Sequence, residues 1–458
     1  MSRRTRATLL PLLLAACGGG EGELLARAQS LHRASLLVTR IEEPGMIDRI
    51  VAAGVREPLF DAMLPASPER IRHLAAIATG RMGGAGAGEA LLRLFDERSG
   101  DFGKDGARMQ YAAVGFTLLR DPAFAVDLVE RLATVDPNNA VAALAAEERT
   151  EEYFTVDAQL CDALLGLGVW NAEEELVKQL RRRDRIRVLI DAYAVLRRRT
   201  GLSLPFRYNG SYADRGADAD RWSAMLRATR DERIARAPFR SDTPRFKRRC
   251  EEVVAWLGGR SVNQRYIAYK ILPILGSATT PFLVAELRSN NPIGQRQAAI
   301  VLGRIGDPAA ASALRSALAY ADDDARAEAV RALLLVGDRE ARPLVRARLA
   351  DADAEVRGFA ARYLGTLGTD EDRPLLAAAL ARERAPSTVA EMLCALLRRG
   401  DRSVAGRLRE VFRSGEQLDR EAALAALEEV AGKKSGASAL DAPAKRDETA
   451  ALMGEWFR

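Results

Sequence analysis

The chain has 458 residues, 48% of them hydrophobic and only 6% aromatic, and its wealth of Ala, Leu and Arg suits short packed helices and argues against a β-rich fold. The formal charge of +6 falls to +3 when Arg3, Arg4 and Arg6 are set aside with residues 1–16, so the high pI carries no nucleic-acid signal. With two histidines, His32 and His73, and four cysteines lacking any C-x-x-C spacing, the composition argues against a metal cluster, a histidine-based triad and a disulfide framework.

Met1–Arg6 is basic, Ala7–Ala16 is apolar, and small residues precede Cys17. That order describes a secretory signal, and the apolar run is too short to span a bilayer. Leu14-Ala15-Ala16-Cys17 resembles the bacterial lipobox. The resemblance implies a lipoprotein signal peptide over 1–16, lipidation of Cys17, and a Gly-rich tether over 17–22. Gly18, where an aspartate would signal retention, implies a lipid-anchored protein of the cell envelope, in the outer membrane. A cytoplasmic protein with a chance apolar start is the alternative. The remaining cysteines, Cys161, Cys250 and Cys394, stand alone in helical patterns and read as buried thiols.

Residues 23–201 read as degenerate helical repeats. Leu24, Leu25, Ala28 and Leu31 begin a helical stretch with breaks at Pro44-Gly45 and Pro58. Glu69–Ala78 is predicted to stop at Gly80. Gly83–Gly88 precedes the helix Glu89–Phe95, but it follows a helix and lacks the Lys-Ser or Lys-Thr of a phosphate loop, so it reads as a turn. Asp101-Phe102-Gly103 is a loop without other kinase features. Helices follow over Tyr111–Leu119 and Phe124–Leu132, with a turn at Asp136-Pro137-Asn138-Asn139. Further helices cover Ala158–Gly166, Ala172–Leu180 and Arg185–Arg198.

Residues 202–243 break the pattern and concentrate Phe206, Tyr208, Tyr212 and Trp222 in an aromatic-poor chain. Tyr208, Tyr212 and Trp222 could line a ligand pocket. Asp214, Asp218 and Asp220 could help hold calcium, although their spacing matches no EF-hand loop. Asp220 is instead well placed to cap the helix carrying Trp222. A similar passage, from Gly432 through a polar connector to Trp456-Phe457, closes the chain. Both read as flaps over the exposed end of a repeat stack, which gives two arrays, the second over 244–432 with a connector and capping helix at 433–458.

The second array holds three copies of one 31-residue unit: Ser289–Ala319, Tyr320–Ala350 and Asp351–Ala381. Ala298, Ala329 and Ala360 share one column, Leu302, Leu333 and Leu364 a second, and Gly306, Gly337 and Gly368 a third. In the last copy Val356, Phe359, Ala360, Tyr363, Leu364 and Leu367 form a helical stripe, Gly368 ends the helix in a left-handed cap, and Pro374 opens a second helix. Ser261–Arg288 is a shorter copy matching at Ala268, Leu272 and Gly276. Two short helices cannot bury both faces alone, so stacked copies must share a continuous core.

The strings VRGFAARYLGTLG and LGRIGDPAAASAL resemble the short HEAT repeats, in the subtype also found in phycobilisome-lyase-like proteins. The resemblance implies an all-α, α/α right-handed superhelix with the second helices lining a concave face. Arg265, Gln295, Arg326 and Arg357 share a column, and Asp307, Asp338, Asp370 and Asp401 recur in turns. By the same resemblance these make an inter-unit ladder that satisfies turn N–H groups.

Arg315, Arg346 and Arg348 on the second helices are the candidate partner-binding residues, facing an acidic peptide or tail of an unknown protein. The expected function is a non-enzymatic protein-interaction scaffold without a cofactor or metal, anchored to the membrane through lipid and binding no nucleic acid. The alternatives are a lyase-like or cofactor-handling protein and a cytoplasmic scaffold.

Overall fold

Helix-forming sequence dominates, and every regular element among the described residues is helical. The computed structural model describes residues 45–99, 102–135, 151–181 and 186–457. The expectations for residues 1–22, Cys17 included, and those for His32, Asp101 and the turn at 136–139 lie outside them.

The chain divides into two compact units, one ending at Phe246 and the other starting at Lys247. The first contains α1 (Met46–Ala52), α2 (Glu57–Ala62), α3 (Glu69–Met82), α4 (Ala87–Asp96), α5 (Phe102–Leu119), α6 (Ala125–Val135), α7 (Glu151–Gly166), α8 (Glu173–Leu180), α9 (Ile186–Thr200), α10 (Tyr212–Ala228) and α11 (Arg230–Arg236). The division falls within α12 (Pro244–Gly258). The second unit continues with α13 (Val262–Leu275), α14 (Thr280–Leu287), α15 (Pro292–Ile305), α16 (Ala311–Ala317), α17 (Asp323–Val336) and α18 (Arg342–Arg348). It ends with α19 (Ala354–Leu367), α20 (Arg373–Leu380), α21 (Pro386–Arg398), α22 (Ala405–Ser414), α23 (Gln417–Ala431) and α24 (Pro443–Gly454).

In the first unit α5 packs between α3 and α7. Gly80 does not stop α3, which runs on to Met82. A Cβ at Gly80 would lie 2.2 Å from the Gly115 carbonyl oxygen, so this glycine permits the close crossing of α3 and α5. Arg72 of α3 is fully buried; its Nε donates to Met63 O at 2.9 Å and its guanidinium pairs with Glu97. Arg108 joins the same network through Glu69 at 2.6 Å. Removing one partner from so buried a network typically costs about 3–5 kcal/mol.

In the second unit the first helices stack as α15, α17, α19, α21 and α23, with the second helices alongside. Ala298, Ala329, Ala360, Leu302, Leu333 and Leu364 are all fully buried, so the two apolar columns form the core of the stack. Each such leucine contributes about 1.5–3 kcal/mol of burial. The small residues set the helix separation: a Cβ on Gly365 would stand 2.7 Å from Ala395 Cα.

Gly306 and Gly337 cap α15 and α17 at φ 71° and 76°, as the glycine column predicts. Gly368 does not. It is extended at φ −72°, and Thr369 and Asp372 form a capping box in the turn after it. A Cβ at Gly368 would lie 2.3 Å from Leu364 O, so close approach replaces backbone handedness as the reason for glycine there.

Candidate functional site

Each member of the first-helix polar column reaches back six residues to a carbonyl ahead of its own helix. Arg265 bonds Gly259 O, and Gln295 Nε2 donates to Ser289 O at 2.6 Å. Arg326 Nη1 donates to Tyr320 O and Arg357 Nη1 to Asp351 O, both at 2.9 Å. Arg326 and Arg357 also reach forward into the next loop. Arg326 grips Asp351 at 2.8 and 3.2 Å, and Arg357 grips Glu383 at 2.7 and 3.0 Å. Fork-on-carboxylate geometry of this kind fixes register as well as adding energy.

The carboxylates respond accordingly. The Arg357 hydrogen bond, opposed by burial and helped by the N–H groups of Ala385 and Arg384, lowers Glu383 to about 2. Burial alone would raise Asp351, but hydrogen bonds from Arg326 and the Asp353 N–H outweigh it and hold the carboxyl low. The turn carboxylates accept backbone N–H groups: Asp307 from Ala309 at 3.0 Å, Asp338 from Glu340 at 3.1 Å and Asp401 from Ser403 at 3.0 Å. Asp370 does not play this part in its own copy; Asp372 does, accepting from Thr369 N at 2.7 Å.

The candidate partner-binding arginines are engaged within the array. Arg315 Nη1 lies 2.6 Å from Glu340 and 3.5 Å from Asp338 of the following copy. Arg346 Nε lies 2.5 Å from Asp372, whose side chain is fully buried. Arg348 Nη1 donates to Leu318 O and to Asp351, each at 3.2 Å. Arg315 and Arg346 therefore form a second inter-unit ladder rather than a free basic row. Arg348 and Asp351 border an open cleft of about 340 Å³ whose walls are otherwise largely alanine.

The aromatics of the insertion fall into a buried and an exposed set. Trp222 is fully buried, edge-on to Tyr193 with centroids 6.0 Å apart, and Tyr193 also meets Phe206 at 5.8 Å. Tyr193 Oη donates to Leu204 O at 3.0 Å. This core cluster fastens the extended stretch before α10 onto α9. Tyr208 and Tyr212, 42% and 49% exposed, lie outside it.

Asp220 is not a cap; Ser211 and Asp214 form the capping box of α10, and Asp220 pairs with Arg181 at 2.5 Å. Asp214 and Asp218 are both paired with Arg207, at 2.8 and 2.9 Å. No group of His, Cys, Asp and Glu suited to a metal ion occurs among the described residues.

Sequence reasoning missed the buried pair of Glu173 and Arg233, 2.6 Å apart, which ties α11 to α8 beside Trp170. Burial raises Glu173 to about 7 against the pull of Arg233. At the other end of the chain, α24 packs on α22 through buried Ala450 and Met453, with Arg413 2.8 Å from Asp447. Trp456, unlike Trp222, is only half-buried.

The HEAT repeats family profile matches residues 280–351 and 317–396. No curated protein matches the chain significantly. Among solved structures, the complex of CpcE and CpcF of phycocyanin lyase from Nostoc sp. PCC7120 is similar at 20% identity, covering 40% of this chain and 77% of that one, with a TM-score of 0.35. Human deoxyhypusine hydroxylase is similar at 14% identity, over 76% of this chain and 99% of its own, with a TM-score of 0.24. Kap121p bound to Pho4p is similar at 10% identity and a TM-score of 0.34; this chain matches over 92% of its length and spans about half of Kap121p, 49%. Residues 280–351 and 317–396 thus carry HEAT repeats, and the fold is an all-α, HEAT-like α/α solenoid.

Proposed function

We propose that this chain is a non-enzymatic protein-interaction scaffold. The observation that carries the reading is the double ladder: Arg326 and Arg357 on the first helices, Arg315 and Arg346 on the second, each fixed to a carboxylate of the following copy. Such bonds hold successive helix pairs in register without closing a cavity around a reacting group. A rigid array of this kind presents side chains from several units along one extended surface, and that is how solenoids engage partners. The repeated residues supply the frame, and recognition falls to positions where the repeat varies.

The anchor belongs to the same proposal and rests on residues 1–17 alone. Lipidation at Cys17 would tether the scaffold to the cell envelope, with the outer membrane as its place. Labelled palmitate should be incorporated by the parent and lost in Cys17→Ser. A parent protein that takes up no label refutes the anchor. The scaffold reading itself is tested by selecting displayed random peptides on the full chain. Recovery of a family of related binding peptides supports it, and recovery of none overturns it.

A further inference from the structure

Arg348 marks a position at which the copies differ. Its column holds Ala317 and Ala379 in the adjoining copies and Glu286 in the shorter one. A long cation therefore stands where the adjoining copies carry a methyl group. It opens onto the cleft of about 340 Å³ between the loop after α16 and the end of α18. Exposed Ala319, Ala347, Ala350 and Ala352 form the apolar part of that cleft.

The polar side chains of the cleft leave one kind of atom unused. Both oxygens of Asp351 are filled: Oδ1 accepts from Arg326 Nη2 at 2.8 Å and from the Asp353 N–H at 3.1 Å, and Oδ2 accepts from Arg326 Nε and Arg348 Nη1, both at 3.2 Å. Arg326 has all three nitrogens engaged, and the Tyr320 hydroxyl donates to Leu287 O at 2.8 Å. Arg348 bonds through Nη1 alone. Its Nε is buried without a partner, and its Nη2 makes no bond among the described residues. Spare donors beside a filled carboxylate call for a ligand that brings acceptors. The surrounding charges leave room for one anion. Arg357 is matched by Glu383, and Asp322, Asp323, Asp353 and Glu355 stand at the N-termini of α17 and α19, whose dipoles offset them. Arg326 and Arg348 share Asp351 between them, and Arg288, near Tyr320, has no carboxylate among the described residues.

We propose that this cleft captures the C-terminal carboxylate of a partner protein's tail, with Arg348 donating to the carboxylate and the alanine methyls holding a small apolar last residue. A chain terminus carries an anion and a side chain on one carbon, which matches an arginine set against methyl walls. The cleft is open, so the rest of the tail continues over the surface. The inference rests on the scaffold reading and adds to it a place and a chemical class.

The test screens short synthetic peptides with free carboxyl ends and randomised last residues against the full-length protein, then measures fluorescein-labelled binders by anisotropy. The expected binders end in a small apolar residue. Their affinity falls at least about tenfold when the carboxyl end is amidated. It falls equally for Arg348→Ala, which installs the residue of the adjoining copies and leaves the Arg326–Asp351 pair in place. Ala350→Phe, at an exposed position, fills the cleft and abolishes binding, while Leu375→Ser outside it changes nothing. Unchanged circular dichroism and melting confirm each fold, and amidation alters the peptide alone, so it reads the inference even if a variant unfolds. Binders indifferent to amidation or to Arg348→Ala overturn the inference and leave the scaffold standing. N-acetylalanine that displaces a binder at the binder's own concentration assigns the cleft to a free small acid and overturns the protein tail. No binders, with free or blocked carboxyl ends, overturn both readings.

Discussion

Replacing Glu383 by Gln isolates the charge of one ladder rung while keeping its shape. The carboxylate is buried, accepts both arms of Arg357, and receives the N–H groups of Arg384 and Ala385 at 2.8 and 2.9 Å. Holding a carboxyl at about 2 when its ordinary value is 4.5 corresponds to at most about 3 kcal/mol of stability. Glutamine retains one acceptor, so the expected loss at pH 7 is about 2 kcal/mol. The folded value is depressed, so the stabilisation is present above pH 4.5 and is lost as pH falls through about 2. Urea denaturation of the full chain, followed by circular dichroism at pH 7, 4 and 3, measures both quantities. The variant should be weaker at pH 7 and should lose less on acidification, so the two proteins converge. A variant within about 0.5 kcal/mol of the parent at pH 7, or one with the parent's pH slope, would refute the ladder as a stabilising device.

Three other outcomes follow from the packing. Gly365→Leu forces side-chain atoms into the backbone of α21 and should cost at least about 1–3 kcal/mol in the same assay, whereas Gly306→Ala strains only a cap and should cost about 1 kcal/mol. Trp222→Ala should cost about 3–5 kcal/mol, while Tyr208→Ala and Tyr212→Ala should each stay within about 0.5 kcal/mol; comparable losses at all three would restore a shared aromatic site. Cys250 and Cys394 are buried and pushed up to about 12, so neither should react with a thiol reagent at pH 8 until the protein is unfolded. Rapid labelling of the native protein at either position contradicts their placement.

The period of the sequence was enough to place the helices of residues 289–381, because columns of Ala and Leu recur only where one face is buried repeatedly. The ladder of Arg326 and Arg357 was an expectation from the resemblance to HEAT repeats, and its carboxylates are Asp351 and Glu383 rather than the turn aspartates. The sequence pattern misled where one residue type serves two physical ends. Gly80 and Gly368 read as helix stops, but glycine is equally required where backbones nearly touch. Trp222 read as a pocket wall because its partner Tyr193 lies on another helix, and burial is not written in the residue itself. Arg315 and Arg346 read as free because their carboxylates lie about one repeat further along, at Glu340 and Asp372.

The central claim is that arginine–carboxylate ladders hold successive copies in register. A double-mutant cycle of Arg357→Met and Glu383→Gln, read by urea denaturation of the full chain at pH 7, tests it most directly. The expected result is a coupling energy of about 1–3 kcal/mol between the two positions. Single losses that add within about 0.5 kcal/mol would contradict it.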